Sequence, residues 1–213
     1  MDSKTHWEKV YTTKAPEQVS WYRPHLETSI ALIEQSVISR DAPIIDVGGG
    51  ESTLVDDLLA RGFQNVTVLD VSQVAIETTK KRLGQVADRV HWLTADVTQV
   101  ELQPRAYDVW HDRAVFHFLT RSEQRSAYVR QVALSVKPGG YVIISAFGPE
   151  GPTKCSASMS CVTTPILYTM SLVHASAWSK ALKNCTRHHS ARHNSFCIAT
   201  AELGKRNSAN ALL

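Results

Sequence analysis

The first 150 residues of this 213-residue chain contain no cysteine, and the residues after them contain no aspartate and a single glutamate, Glu202. The first absence excludes a disulfide framework for the body of the chain, because all four thiols (Cys155, Cys161, Cys185, Cys197) come later. The second concentrates charge. Residues 1–150 hold 19 acids against 16 Lys and Arg, a net of −3, whereas residues 151–213 hold one acid against seven Lys and Arg, a net of +6. A composition break this sharp marks a boundary. Also missing is any run approaching the eighteen or so apolar residues of a membrane span. The opening "MDSKTHWEKVYTTKAPEQ" has no apolar stretch that could serve as a signal peptide or anchor. A cytoplasmic protein with reduced thiols and no membrane partner is therefore expected. The basic excess lies only in the tail, without interleaved aromatics in the body, so nucleic acid is not an expected partner.

From residue 43 to 147 short β-rich runs alternate with helical patterns. "APIIDV", "NVTVLDV", "RVHWLTADV", "AYDVWHD" and "YVIISAF" read as five strands. Between them lie helical patterns at Ser52–Arg61, at 72–86 with Ser72 as N-cap, and at 122–136 with Ser122 as cap, the last broken by "KPGG". This alternation predicts an α/β fold, a Rossmann-like, doubly wound and mostly parallel sheet with helices on both faces. Ligands of such sheets sit at the carboxyl ends of the strands. Ahead of the sheet, residues 25–38 predict an amphipathic helix, and residues 6–24 are rich in aromatics (Trp7, Tyr11, Trp21, Tyr22). These pack the segment onto the sheet or close over a ligand as a lid.

The first strand runs into "DVGGGES", a glycine-rich turn that could cradle a dinucleotide, a phosphate or a phosphate-free nucleoside. A dinucleotide turn needs G-x-G-x-x-G, and after Gly48 and Gly50 the third glycine is absent. No Gly-Lys-Ser/Thr follows, which excludes a P-loop. Three acids close three consecutive strands instead. Asp46 precedes the glycines and disfavours a pyrophosphate. Asp70, twenty residues after Gly50, can take both hydroxyls of a ribose, and Asp96 can accept from an adenine amine. Acids so placed suit S-adenosylmethionine, which is cationic and has no phosphate, better than NAD.

With "VLDVS" (68–72), "TADV" (94–97), "DVWHDRAVFHFL" (108–119) and "VKPGGYVIIS" (136–145) added to the glycine turn, the sequence over residues 5–155 resembles the class I S-adenosylmethionine-dependent methyltransferases. The resemblance implies S-adenosylmethionine as cofactor. Asp46 would lie near its ammonium, the Gly48–Gly49–Gly50 backbone against the methionine, Asp70 and Val71 at the ribose, Asp96 and Val97 at the adenine, and His111 beside the sulfonium. It implies a methyl acceptor with an oxygen, nitrogen or sulfur nucleophile, either a small molecule or a protein side chain. The front segment resembles the group containing the citrate-synthase and elongation-factor lysine methyltransferases, in which a W-x-x-x-Y helix and a later tryptophan cover the cofactor; here these are Trp7, Tyr11 and Trp21. That group carries an acid and a lysine where Asp112–Arg113 stand, a departure that weighs against a lysine acceptor. His111 and His117 are the candidate general bases, with a core histidine as the alternative for His117 and a structural ion pair or cap for Asp112 and Arg113. The chain is expected to be a monomer or homodimer.

The organisation that follows is a helical lid segment over 1–42, a cofactor-binding core over 43–150 and an atypical region over 151–213. Family members continue with a helix and two antiparallel edge strands. Residues 151–213 lack that patterning, so the edge strands are expected to be missing or aberrant. A reading-frame shift near residue 156 would produce this break, as would a divergent substrate-recognition region or a disordered tail. An impaired, non-catalytic cofactor-binding module is therefore the alternative function. Cys185, His188, His189, His193 and Cys197 crowd together, but without a C-x₂-C pair they predict no metal site.

Overall fold

The computed structural model describes residues 3–147 except 20 and 38, and beyond them the backbone of 154–155, 159–160, 178–182, 188–189 and 195–203. Two helices lead, α1 (Ser3–Thr13) and α2 (Glu27–Ser36), joined by a segment with a 3₁₀ turn at Pro16–Gln18. The body follows as β1 (Ile44–Val47), α3 (Leu54–Ala60), β2 (Val66–Asp70), α4 (Gln73–Leu83), β3 (Val90–Thr94), β4 (Tyr107–Arg113), α5 (Ser122–Ser135) and β5 (Val136–Phe147). Later strands are β6 (Lys154–Cys155), β7 (Met159–Ser160), β8 (Trp178–Leu182), β9 (His188–His189) and β10 (Ser195–Leu203). Among the described residues no helix is long and apolar enough to cross a membrane.

The sheet order is β3-β2-β1-β4-β5-β10-β8. The first five strands are parallel, and β10 runs antiparallel to both β5 and β8. Chain order reverses between β1 and β4, so the crevice at their carboxyl ends is the switch point where an open α/β sheet takes its ligand. Side chains alternate across the sheet and divide the core in two. Ile45, Val47 and Trp110 pack with Tyr128, Val129 and Val132 of α5. Ile44, Val68 and Val109 pack with Ile30 and Ile33 of α2 and Leu54, Val55 and Leu58 of α3. Ser72 caps α4 as expected, its Oγ accepting from the Ala75 N–H at 3.2 Å.

Three details differ from the sequence reading. Ser122 opens α5 rather than capping it: the extended residue ahead is Arg121, and the Ser122 hydroxyl donates to Glu123. "KPGG" ends the helix but also belongs to the β4–β5 ladder as a bulge, with Tyr107 opposite Val136 and Val109 opposite Tyr141. Finally, the weakly patterned region beyond residue 150 supplies both edge strands, with a register shift between Glu202 and Leu203. Ladders are made by backbone N–H and C=O groups, so strands can pair there without alternating side chains. The Cys185–Cys197 cluster and the question of frame after Ser156 concern side chains and segments outside the described residues.

Candidate active site

The turn after β1 lies against the ends of β2 and β4. Gly48 has φ +71°, and a Cβ there would clash with Val115 Cγ2, so both conformation and space demand glycine. Its N–H donates to the Leu69 carbonyl at 2.7 Å, which fastens the turn to β2. Gly49 lies over Asp46 and Gly50 over Asp70: a Cβ would come within 2.6 Å and 2.7 Å of their Oδ2 atoms. The glycine run thus lets two carboxylates crowd under one backbone turn.

Asp46 is 2% exposed. His111 stands opposite it in the β1–β4 register, and ring Nδ1 meets Asp46 Oδ1 at 2.7 Å while Nε2 meets Ser29 Oγ of α2 at 2.9 Å. Asp46 Oδ2 is buried without a hydrogen-bond partner. Asp70 accepts from the Ser72 N–H at 2.8 Å. Burial pushes its carboxyl up to about 7, against the pull of the Ser72 and Gly50 N–H groups and with a contribution from Asp46. Val71, half-buried, lies between this acid and the cap of α4. Asp96 begins the turn after β3, and its Oδ1 accepts from the Thr98 N–H and hydroxyl. Val97 is buried behind it. The structure therefore places all three predicted acids at the ends of adjacent strands β1, β2 and β3.

"HDR" divides by strand alternation. His111 and Arg113 turn to the α2 side, and Asp112 turns to the α5 side. There Asp112 accepts from the Val115 and Phe116 N–H groups and from the Tyr128 hydroxyl at 2.6 Å. It is a cap, not an ion-pair partner of Arg113. The Arg113 guanidinium donates instead to the Trp21 carbonyl. His117 sits in the 3₁₀ turn Phe116–Phe118, where burial lowers its pKa to about 4 and keeps the ring neutral.

The front segment covers the site. Trp7 stacks on Tyr11 at 5.8 Å and meets Trp21 and Phe118 edge-on at 5.7 and 5.0 Å. A pocket remains between this cover and the glycine turn, lined by Tyr11, Trp21, Asp46, Gly48, Glu51 and Arg113 among others.

Four residues escaped the sequence reading: Glu8, Ser29, Glu51 and Tyr128. Glu8 of α1 accepts from the Ser72 hydroxyl and from the Gln73 and Val74 N–H groups, latching α1 onto the start of α4. A carboxylate at a helix N-terminus satisfies otherwise orphaned donors and meets the positive end of the helix dipole. Glu8→Ala is expected to free α1, and tryptic cleavage at Lys9 or Lys14 should then quicken about tenfold, as loss of charged hydrogen bonds implies. An unchanged cleavage rate would count against the latch. The signal for Ser29 was a polar residue on the face of α2 that carries Ile30 and Ile33.

Glu51 is 8% exposed, and burial raises its carboxyl to about 7. For Asp70 and Glu51 the folded chain holds protons that the unfolded chain has already released, so stability falls as pH rises through about 7. His117 acts in the opposite sense, but only between its folded value of about 4 and the ordinary 6.5. The unliganded protein should therefore melt several degrees lower at about pH 8 than at about pH 6.5. A melting temperature that rises over this interval would contradict the burial of these two acids.

A family profile described as a methyltransferase domain matches residues 44–140. The chain is 26% identical over 141 residues to the eEF1A lysine and N-terminal methyltransferase of Mus musculus, covering 66% of this chain and 20% of that protein. It spans about a fifth to about half the length of such curated relatives. Among solved structures, the N-methyltransferase NodS from Bradyrhizobium japonicum WM9 in complex with S-adenosyl-L-homocysteine superposes with a TM-score of 0.68 at 14% identity, over 96% of this chain and 100% of that one. The Burkholderia thailandensis 1,6-didemethyltoxoflavin-N1-methyltransferase, with bound 1,6-didemethyltoxoflavin and S-adenosylhomocysteine, gives 0.64 at 18% identity, over 95% and 84%. By the sequence of its body the chain is thus similar to methyltransferases, and its sheet shares the fold of S-adenosylmethionine-dependent methyltransferase structures.

Proposed function

We propose that the chain binds S-adenosylmethionine across the ends of β1, β2 and β3 and transfers its methyl group to an oxygen, nitrogen or sulfur nucleophile of a small molecule or protein side chain. One observation carries this: three acids end three adjacent parallel strands around a glycine turn, and Asp46 Oδ2 is buried without a partner. Asp46 takes the α-ammonium, and Gly48, Gly49 and Gly50 admit the methionine moiety. Asp70 with Val71 holds the ribose, and Asp96 with Val97 the adenine. Residues 1–42 form the lid, with Trp21 beside Trp7 and Tyr11 over the site, and residues 43–150 hold the cofactor.

The sulfonium is already a good leaving group, so the protein's part is alignment and exclusion of water. A base is needed only for a nucleophile that arrives protonated. His111 has both ring nitrogens engaged, and His117 is neutral with a low affinity for protons. Either ring would have to change its surroundings to act as that base. The names of the relatives support a protein amine as acceptor, and that of the toxoflavin enzyme a small heterocycle. A cytoplasmic location and a monomeric or homodimeric state belong to the same proposal.

The test combines titration with S-adenosylmethionine and an assay for S-adenosylhomocysteine release over a pool of small-molecule and protein acceptors. Binding with turnover supports the proposal. Binding without turnover on the whole pool returns the chain to a non-catalytic cofactor-binding module, and failure to bind removes both.

A further inference from the structure

We propose that Ser29 and His111 are positioning residues for the amino-acid end of the ligand, acting together through Asp46. This rests on the cofactor reading above and gives a purpose to a buried polar chain that the reading leaves unused. Three side chains from three elements meet in the α2-side core: Ser29 from α2, His111 from β4 and Asp46 from β1. They are 7%, 1% and 2% exposed. Their contacts run in series, Ser29 Oγ to His111 Nε2 at 2.9 Å and His111 Nδ1 to Asp46 Oδ1 at 2.7 Å.

Buried polar groups are costly unless paired, so a chain like this is expected either to be closed at both ends or to meet a ligand at the open one. Asp46 Oδ2 is the open end. It lies beside Gly49 at the bottom of the glycine turn, and Asp46 is among the residues that line the pocket under Tyr11 and Trp21.

The hydrogen-bond order follows from donor count. Facing a carboxylate, Nδ1 carries the proton and donates to Asp46 Oδ1. In the neutral ring Nε2 must then accept, and the Ser29 hydroxyl donates to it. Asp46 thereby selects the tautomer, Ser29 holds the far ring nitrogen, His111 locks one oxygen of Asp46, and the other oxygen is left without a partner beside Gly49. A second partner of this kind fixes ring orientation and raises the basicity of what it serves, as it does around histidine ligands of metals. An α-ammonium placed there would make a charge-assisted hydrogen bond in a site closed to water. Arg113, whose guanidinium lies near Asp46, is drawn aside to the Trp21 carbonyl and does not close the open oxygen.

Two ligands distinguish this role from a merely structural one. S-adenosylhomocysteine carries the amino-acid end, and 5′-methylthioadenosine has the same adenosine and sulfur without it. Titration of both into wild type, His111→Phe and Ser29→Ala is expected to show a selective loss. S-adenosylhomocysteine should weaken about tenfold in His111→Phe and about threefold in Ser29→Ala, of the order of one charged and one neutral hydrogen bond. 5′-Methylthioadenosine should stay within about twofold in both. Equal weakening of the two ligands, or no change in either, would overturn the proposal while leaving the cofactor reading intact. Failure of the wild type to bind S-adenosylhomocysteine would overturn that reading and this one with it. Should His111→Phe fail to fold, Ser29→Ala, which removes one oxygen from a helix face, decides by the same ratio.

Discussion

Replacing Asp70 with alanine is expected to weaken S-adenosylhomocysteine binding by about a hundredfold or more while leaving the fold intact. Each hydrogen bond to a charged group contributes about 1.5–3 kcal/mol, so losing two ribose contacts costs about 3–6 kcal/mol, and each 1.4 kcal/mol is about tenfold. The change strands the Ser72 and Gly50 N–H groups that Asp70 accepts from, but it also removes a buried acid, and these two effects on the fold oppose each other. Asp70 is buried next to Asp46 and Glu8, and its carboxyl is raised to about 7 mainly by that burial. A buried acid crowded by two others costs stability, a cost that functional carboxylates often carry. At about pH 8, where the wild type must keep this group ionised in the interior, Asp70→Ala should melt no lower than wild type. Titration and a melting curve on the same sample check both halves. Binding within about threefold of wild type would remove Asp70 from the ribose site.

Asp112→Ala should do the reverse, lowering stability by about 3–5 kcal/mol, a loss typical of breaking a buried polar cluster. Its carboxyl, fully buried and raised by burial to about 6, caps the turn after β4 through the Val115 and Phe116 N–H groups and anchors the Tyr128 hydroxyl. Tyr128 in turn accepts from Trp110 Nε1 at 2.9 Å, so the cluster ties α5 to β4. Truncation leaves three donors buried without an acceptor. Tyr128→Phe removes one of these, so the double variant should lose less than the sum of the singles. Urea unfolding of the three variants measures this directly. A loss below about 1 kcal/mol for Asp112→Ala, or strict additivity, would show that the cluster does not hold the turn.

These two aspartates show what a sequence carries and what it withholds. Asp70 was legible because a strand end, a glycine turn and a fixed separation place it against the ligand crevice through local geometry. The Ser72 cap of α4 was legible for the same reason. Asp112 was resolved only in part: alternation along β4 sends His111 and Asp112 to opposite sides of the sheet, but which helix covers each side, Ser29 of α2 or Tyr128 of α5, is set by tertiary packing. Contacts between remote segments were hidden altogether. Glu8 meets Ser72 across 64 residues and Ser29 meets His111 across 82, separations at which spacing says nothing. The edge strands β8 and β10 could not be placed residue by residue, because their pairing depends on backbone groups that every residue carries and their side chains do not alternate.

The central claim is that the crevice at the ends of β1, β2 and β3 takes a phosphate-free adenosyl amino acid and not a dinucleotide. Isothermal titration of the full chain with S-adenosylhomocysteine and with NAD, under identical conditions, tests it most directly. Saturable one-site binding of S-adenosylhomocysteine and no heat from NAD is the predicted result. NAD binding as tightly or more tightly, or no binding of S-adenosylhomocysteine at all, would contradict it.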